Sequence, residues 1–239
     1  MLTLKWDGYN LLTQEKCYAP RIRTIGELLD VLMDPPEDVD PKTPAYYMYR
    51  GVCLLDHAHV FEKNNVRYDV TVIPPRRVGN EFIKTFGHYH PTAEHDPITG
   101  NPLSFPEVYE VLHGEALFLL QDRDARNFFA VRARAGKTVL IPPNLGHVTV
   151  NPSDKTLVMV NLVSSRFSSD YTPVREKKGF AWYYTVNGWV KNPRYTKHPE
   201  IKEAQPFLPL KDIYSAFIEY PKLFDFLNRP SKMDWSQII

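Results

Sequence analysis

Four short stretches of the sequence hold side chains able to do chemistry together. Gly87-His88-Tyr89-His90 sets two imidazoles two residues apart. On a strand such residues project from one face, so the pair would chelate a single cation while Tyr89 turns away. Glu107 opens the run Glu107-Val-Tyr-Glu-Val-Leu-His-Gly114, a carboxylate at the start of a strand-like stretch that ends in a glycine turn. Farther on, Gly136-Lys-Thr-Val-Leu-Ile-Pro142 leads through Pro143-Asn144-Leu145-Gly146 to His147-Val-Thr-Val-Asn151. Imidazole and carboxylate donors suit first-row divalent metals. A second H-x-H, His57-Ala-His59, has no carboxylate or third histidine behind it and reads as a loop or surface pair.

The elements that must position these residues are mainly strands. Val66, Tyr68, Val70 and Val72 alternate with Arg67, Asp69 and Thr71, the pattern of a half-buried strand. Strand-like runs follow at 81–90, 108–112, 116–121, 128–134, 138–141, 147–151 and 156–163, separated by turn residues such as His113-Gly114 and Pro142-Pro143-Asn144. A last hairpin, 181–186 with 189–191, is expected to turn at Asn187-Gly188 in a type I′ turn. Many short strands at this spacing imply a sandwich or barrel. The one clear helix is 24–33, where Thr24 and Glu27 form a capping box and Ile25, Leu28, Leu29 and Leu32 share a face. Residues from Pro206 onward read as two short helical pieces interrupted by Pro221.

Composition narrows the classes of function. The 239 residues carry 29 Lys and Arg against 28 Asp and Glu, a net charge of +1, so no global grip on nucleic acid or an anionic membrane is expected. The longest nearly apolar run, 157–163, is broken by Asn161 and is too short to span a bilayer. Met1-Leu-Thr-Leu-Lys-Trp-Asp lacks a basic region followed by an apolar one, so a cytoplasmic location is expected. Cys17 and Cys53 form no C-x-x-C pair and read as reduced thiols. The 21 prolines against 11 glycines, with 13% aromatic residues, fit short strands joined by stiff turns.

Taken together, the H-x-H, the E-x6-G from Glu107 to Gly114, and the G-x5-P with a late H-x3-N resemble the two signature motifs of the cupin superfamily. In such a barrel, neighbouring strands aim three imidazoles and one carboxylate into a shared lumen around a dication, leaving two coordination positions open. Two carboxylates compete for the role. Glu94 lies four residues after His90, whereas Glu107 lies 17 residues after it. Glu107 is chosen because Glu94 falls in Thr92-Ala-Glu-His-Asp-Pro-Ile-Thr-Gly-Asn, a turn-rich segment expected to be an inserted loop (92–106) near the barrel mouth rather than a strand.

A narrower resemblance rests on Val70-Thr-Val-Ile-Pro-Pro-Arg-Arg-Val-Gly-Asn-Glu-Phe-Ile-Lys-Thr85-Phe-Gly87-His88-Tyr-His90, Pro106-Glu-Val-Tyr109, and Ser169-Asp-Tyr171 followed by Lys178-Gly-Phe180. These stretches are similar to the cupin-type phosphoglucose isomerases. The resemblance implies a mainly β, cupin-type barrel (a jelly-roll-like double-stranded β-helix) over 44–192, an N-terminal extension with a helix over 1–43, and a short helical C-terminal extension over 193–239. It implies His88, His90, Glu107 and His147 as metal ligands. It also implies Tyr47, Thr71, Thr85 and the Gly87 backbone as a phosphate cradle, Tyr109 and Tyr171 near the sugar, and Glu107 with Tyr171 as the catalytic pair. The implied reaction interconverts glucose 6-phosphate and fructose 6-phosphate, by proton transfer or by hydride shift, in a homodimer. One divalent ion per chain is implied, iron first, with manganese, nickel or zinc also suited to the donors. Two departures stand out: Val163 where the family has tyrosine, and Ser169 where it often has histidine. They keep open a different cupin activity, such as another sugar-phosphate isomerase or a dioxygenase, and a non-catalytic phosphosugar-binding role.

Overall fold

The computed structural model describes residues 1–238. Among the described residues the strands form five sheets, two of which share a common interior, and with 39% of residues in strands and 16% in helices the chain is mainly β. The larger sheet has seven antiparallel strands in the order Phe207–Leu208, Thr138–Ile141, Glu107–His113, Leu157–Ser164, Val66–Ile73, Pro44–Tyr49 and Arg21–Thr24. The smaller has four, Leu145–Val150, Glu115–Asp122, Phe128–Arg134 and Ile201–Glu203, the last running parallel to its neighbour. Strands from both chain ends thus join these two sheets, Arg21–Thr24 and Phe207–Leu208 at the edges of the larger and Ile201–Glu203 at an edge of the smaller.

Register decides which side chains meet. Tyr109 lies opposite Asn161 and Asn161 opposite Asp69, while Met159 lies opposite Thr71 and Thr71 opposite Met48. These residues therefore share the inward face. The other face carries Tyr68, Val70, Val72, Val108, Leu140, Val160 and Leu162, which pack against Tyr214, Phe217, Phe224 and Leu227 of the C-terminal segment and Phe61 of the helix Ala58–Asn64. The strand 66–73 is therefore not half-buried with its polar side in solvent: its apolar side lies under the tail, and Arg67 and Thr71 line an interior cavity.

Several elements differ from the sequence reading for local reasons. The capping box at Thr24 and Glu27 forms, but the α-helix covers only Ile25–Leu28 and continues as a 3-10 turn over Leu29–Val31. That tightening turns Leu29 outward (37% exposed) and Val31 inward. The 81–90 run is a strand only at Glu81–Phe82; Gly87, at φ +83°, interrupts it, and the rest is tied to Leu145–Val150 by isolated bridges at Lys84 and His88. The 92–106 segment is not a plain loop. Thr92–His95 and Pro102–Ser104 pair as a ribbon, and the turn residues are confined to its tip, where Asp96 accepts from the amides of Ile98 and Thr99. Glu94 therefore sits on a strand, contrary to expectation.

In the last hairpin Thr185 pairs with Gly188, so Val186 and Asn187 form the tip. Gly188 has φ +93° and Asn187 does not have a positive φ, which makes a glycine bulge rather than the expected type I′ turn. Among its described residues the tail has three short helical pieces, Ile213–Glu219, Pro221–Leu227 and Pro230–Lys232. No helix among the described residues is long and apolar enough to cross a membrane.

Candidate metal centre

His88, His90, Glu107 and His147 converge. One ligand atom from each lies within 4.8 Å of all the others. Two devices bring them together. The backbone of His88 exchanges both hydrogen bonds with that of His147, at 3.2 and 3.0 Å, which sets these two side chains beside each other. Glu107 reaches in from the facing sheet, its Oε2 lying 3.2 Å from His147 Nε2 and 3.5 Å from His90 Nε2. The Nε2 atoms of His88 and His90 are 3.1 Å apart. Two lone-pair nitrogens at that separation repel unless a proton or a cation lies between them.

The donor set fits a cation. His90 Nδ1 donates to the Phe105 carbonyl oxygen at 2.8 Å, which fixes the tautomer that leaves Nε2 as the ligand atom. Glu107 Oε2 and His147 Nδ1 are buried without a hydrogen-bond partner among the described residues. Burial, with the His147 and His90 imidazoles and the Arg50 guanidinium nearby, holds His88 well below the ordinary histidine range. Burial also lowers His90 to about 4, against the opposing pull of Glu107. Both rings are therefore neutral at pH 7 and offer lone pairs without having to release a proton. Burial works to raise Glu107, but the neighbouring His147, His90 and Tyr109 outweigh it and hold the carboxyl below its ordinary value. Burial and the Glu107 charge raise the Tyr109 phenol well above its usual range, so its hydroxyl, 3.2 Å from His147 Nε2, stays protonated.

The ligands stand in the wall of a cavity, open to solvent, that is also lined by Thr71, Thr85, Gly87, Tyr109 and Tyr171. Thr85 Oγ1 accepts from the Thr149 amide at 2.9 Å, which leaves its proton free to point inward. Gly87 is required where it stands: besides φ +83°, an added Cβ would lie 2.3 Å from Val148 Cγ2. The Tyr171 ring lies 5.4 Å from that of His88.

Tyr47 is not in this cavity. It faces the outer side, where its ring meets Trp6 at 5.5 Å and Tyr9 at 6.2 Å. One residue along a strand reverses the face, so the inward tyrosine is Tyr46. Its hydroxyl accepts from the Phe86 amide at 3.2 Å, and Arg23 lies beside it.

Glu94 is absent from the centre; its Oε1 accepts from the Ser231 amide at 2.7 Å and ties the ribbon to the tail. His57 and His59 lie at a helix start, where successive alternate residues do not share a face, and His57 Nδ1 contacts the Tyr214 hydroxyl at 2.9 Å. Val163 and Ser169, the two departures, both line the cavity. Sequence reasoning missed Arg50, Arg67 and Asn161, which line it too, and Phe167, whose ring covers His90 at 4.4 Å. The alternation of Arg67 with apolar residues was the available signal for one of them.

Comparison with known proteins points the same way. The profile of the family described as "Glucose-6-phosphate isomerase (GPI)" matches residues 25–201. A protein named glucose-6-phosphate isomerase from Thermococcus litoralis is 32% identical over 120 residues, which are 50% of this chain and 57% of that one. A relative of the same name from Pyrococcus furiosus is 30% identical over 141 residues, 57% of this chain and 68% of its own length. The chain thus spans little more than half the length of the first of these relatives. Among solved structures, oxalate oxidase in complex with the substrate analogue glycolate aligns at 17% identity with a TM-score of 0.40, over 60% of this chain and 62% of that one. From the extent of the profile match and the Pyrococcus relative, the chain belongs to the glucose-6-phosphate isomerase family, in its cupin-type branch.

Proposed function

We propose that the protein interconverts glucose 6-phosphate and fructose 6-phosphate with the help of one divalent ion held by His88, His90, Glu107 and His147. The observation that carries this reading is the convergence of three imidazoles and one carboxylate in a cavity whose wall also presents hydroxyl and amide donors. A divalent cation would polarise the sugar carbonyl and offset the charge of an enediolate. Thr71, Thr85 and the Gly87 N–H, with Tyr46 in the place expected for Tyr47, are the cradle for the phosphate, whose binding orients the remote reacting end.

The net change moves the C2 hydrogen of the aldose to C1 and the O2 proton to O1. Glu107, a ligand of the cation, is also the group assigned here to carry the carbon-bound proton. Tyr109 supports the carboxylate, and Tyr171, against His88, is the second catalytic group beside the sugar. Retention of the label when C2-deuterated substrate reacts in ordinary water favours a hydride shift, and its loss favours proton transfer.

Purified protein supplied with fructose 6-phosphate should form glucose 6-phosphate, stop when a chelator strips the metal, and resume when metal is restored. No product from the metal-loaded protein would refute the reading. Val163 and Ser169 favour a second reading, phosphosugar binding without turnover, which the same experiment would reveal as binding with no product. Iron is the first choice of ion, then manganese, nickel or zinc, to be settled by elemental analysis of protein purified without added metal. A homodimer, which rests on the family resemblance, completes the reading, together with the cytoplasmic location expected from the sequence.

A further inference from the structure

The polar face of the strand Val66–Ile73 carries a charged group that the isomerase resemblance does not account for. Asp69 is 1% exposed and accepts three hydrogen bonds, from Arg67 Nε at 2.7 Å, Arg50 Nη1 at 2.5 Å and the Gly51 amide at 2.9 Å. One carboxylate against two guanidiniums leaves a surplus of one positive charge. Asp69 engages Arg67 through Nε, and the two terminal nitrogens of Arg67 have no protein acceptor among the described residues. Beside Asp69 in register stands Asn161, 3% exposed, whose Nδ2 is buried with no hydrogen-bond partner. An amide nitrogen left so is costly unless a ligand completes it.

Position says which part of a ligand these groups would meet. Arg67, Val163 and Glu107 form one row across three adjacent strands, so the guanidinium approaches the metal end of the cavity. Valine at 163, where the resemblance expects tyrosine, is the small residue in the middle of that row and leaves the space above it open. Thr71 of the phosphate cradle lies four residues farther along the same strand, about 13 Å away at strand spacing. One phosphate does not reach both ends, but an extended six-carbon phosphate ester does.

A dication with three neutral imidazoles and Glu107 carries a charge near +1, and the Arg50–Asp69–Arg67 group adds another. The reacting end of the substrate is neutral in the ground state and anionic in the enediolate.

We propose that Arg67 and Asn161 bind the enediolate oxygens at the metal end of the cavity, with Asp69 and Arg50 as positioning residues that hold the Arg67 guanidinium in place. This rests on the isomerase reading and names residues for that same site. The groups act where charge develops, so they lower the barrier more than they tighten the substrate.

Arg67→Met should lower kcat about 30- to 100-fold with KM changed less than about threefold, and Arg67→Lys should recover part of the loss. Metal content, read by elemental analysis, should match the wild type. Calorimetry supplies a readout independent of turnover. 5-Phosphoarabinonate carries a carboxylate in place of the two enediolate oxygens, whereas the corresponding alditol phosphate is neutral there. Arg67→Met should weaken the first by about tenfold or more and leave the second unchanged, and the near-isosteric Asn161→Leu should show the same selectivity to a smaller degree. Equal weakening of both compounds, or neither, in both variants would overturn the inference. A wild type that discriminates between them through Arg67 yet forms no product would overturn the isomerase reading and with it the enediolate role, leaving Arg67 only as an anion contact of the cavity.

Discussion

Acidification of the metal-free protein tests the electrostatics of the centre directly. In the unfolded chain His90 titrates near 6.5, whereas burial lowers it to about 4 in the folded chain. Between those values the unfolded state binds a proton that the folded state refuses, so stability falls as pH drops through 6.5 and levels off below about 4. The separation of about 2.5 units corresponds to roughly 3 kcal/mol when complete and about 2 kcal/mol at pH 5. His88, lowered in the same direction, adds to the slope.

Urea denaturation of chelator-treated protein at pH 7.5 and pH 5, for the wild type and for His90→Gln, isolates the contribution of this imidazole. The wild type should lose about 2 kcal/mol more than the variant over that interval. Equal losses would mean that His90 is protonated or solvated in the folded chain, and the account of a neutral, preformed ligand set would fall. As far as His90 is concerned, saturating metal should add its stabilisation with little change between the two pH values, because the folded ring takes up a proton only near pH 4.

Three further outcomes follow from the geometry. Gly87→Ala combines a left-handed backbone with an overlap against Val148 Cγ2, and should cost about 2 kcal/mol or more, seen as a lowered Tm. Tyr46→Phe should raise KM for fructose 6-phosphate about tenfold while Tyr47→Phe leaves it within about twofold; equal effects would reverse the assignment of the cradle. Glu110→Ala removes the buried carboxylate that accepts from the Asp212 and Ile213 amides at 3.0 and 2.9 Å. It should destabilise by about 3 kcal/mol and raise hydrogen exchange across residues 213–227.

The ligand set was legible because its chemistry is written in residue types: two histidines at strand spacing, a glutamate opening a strand, and a histidine after a proline turn each announce both donor and direction. The cradle tyrosine was not, since Tyr46 and Tyr47 are the same residue type on opposite faces and only the pairing register distinguishes them. Arg67 and Asp69 alternate with Val66, Tyr68 and Val70 in a pattern that reads equally well with either side in water. The decision lies with Tyr214, Phe217 and Phe224, nearly 150 residues away, which cover the valine side and turn the charges inward. The ribbon at 92–104 was hidden because its turn residues, gathered at the tip, dominate the composition of two very short strands. Two-residue strands such as Phe207–Leu208 carry too little periodicity to be seen at all.

The strand Glu107–His113 presents a metal-side carboxylate and Tyr109 on one side and, one residue out of phase, the Glu110 carboxylate that secures the helix Ile213–Glu219 on the other. Trimming the polypeptide after residue 205 would therefore do more than bare an oily patch. It would strand an anion in the outer layer and loosen the rung from which the interior donor hangs, so a shortened version could keep every ligand in its sequence and still coordinate poorly.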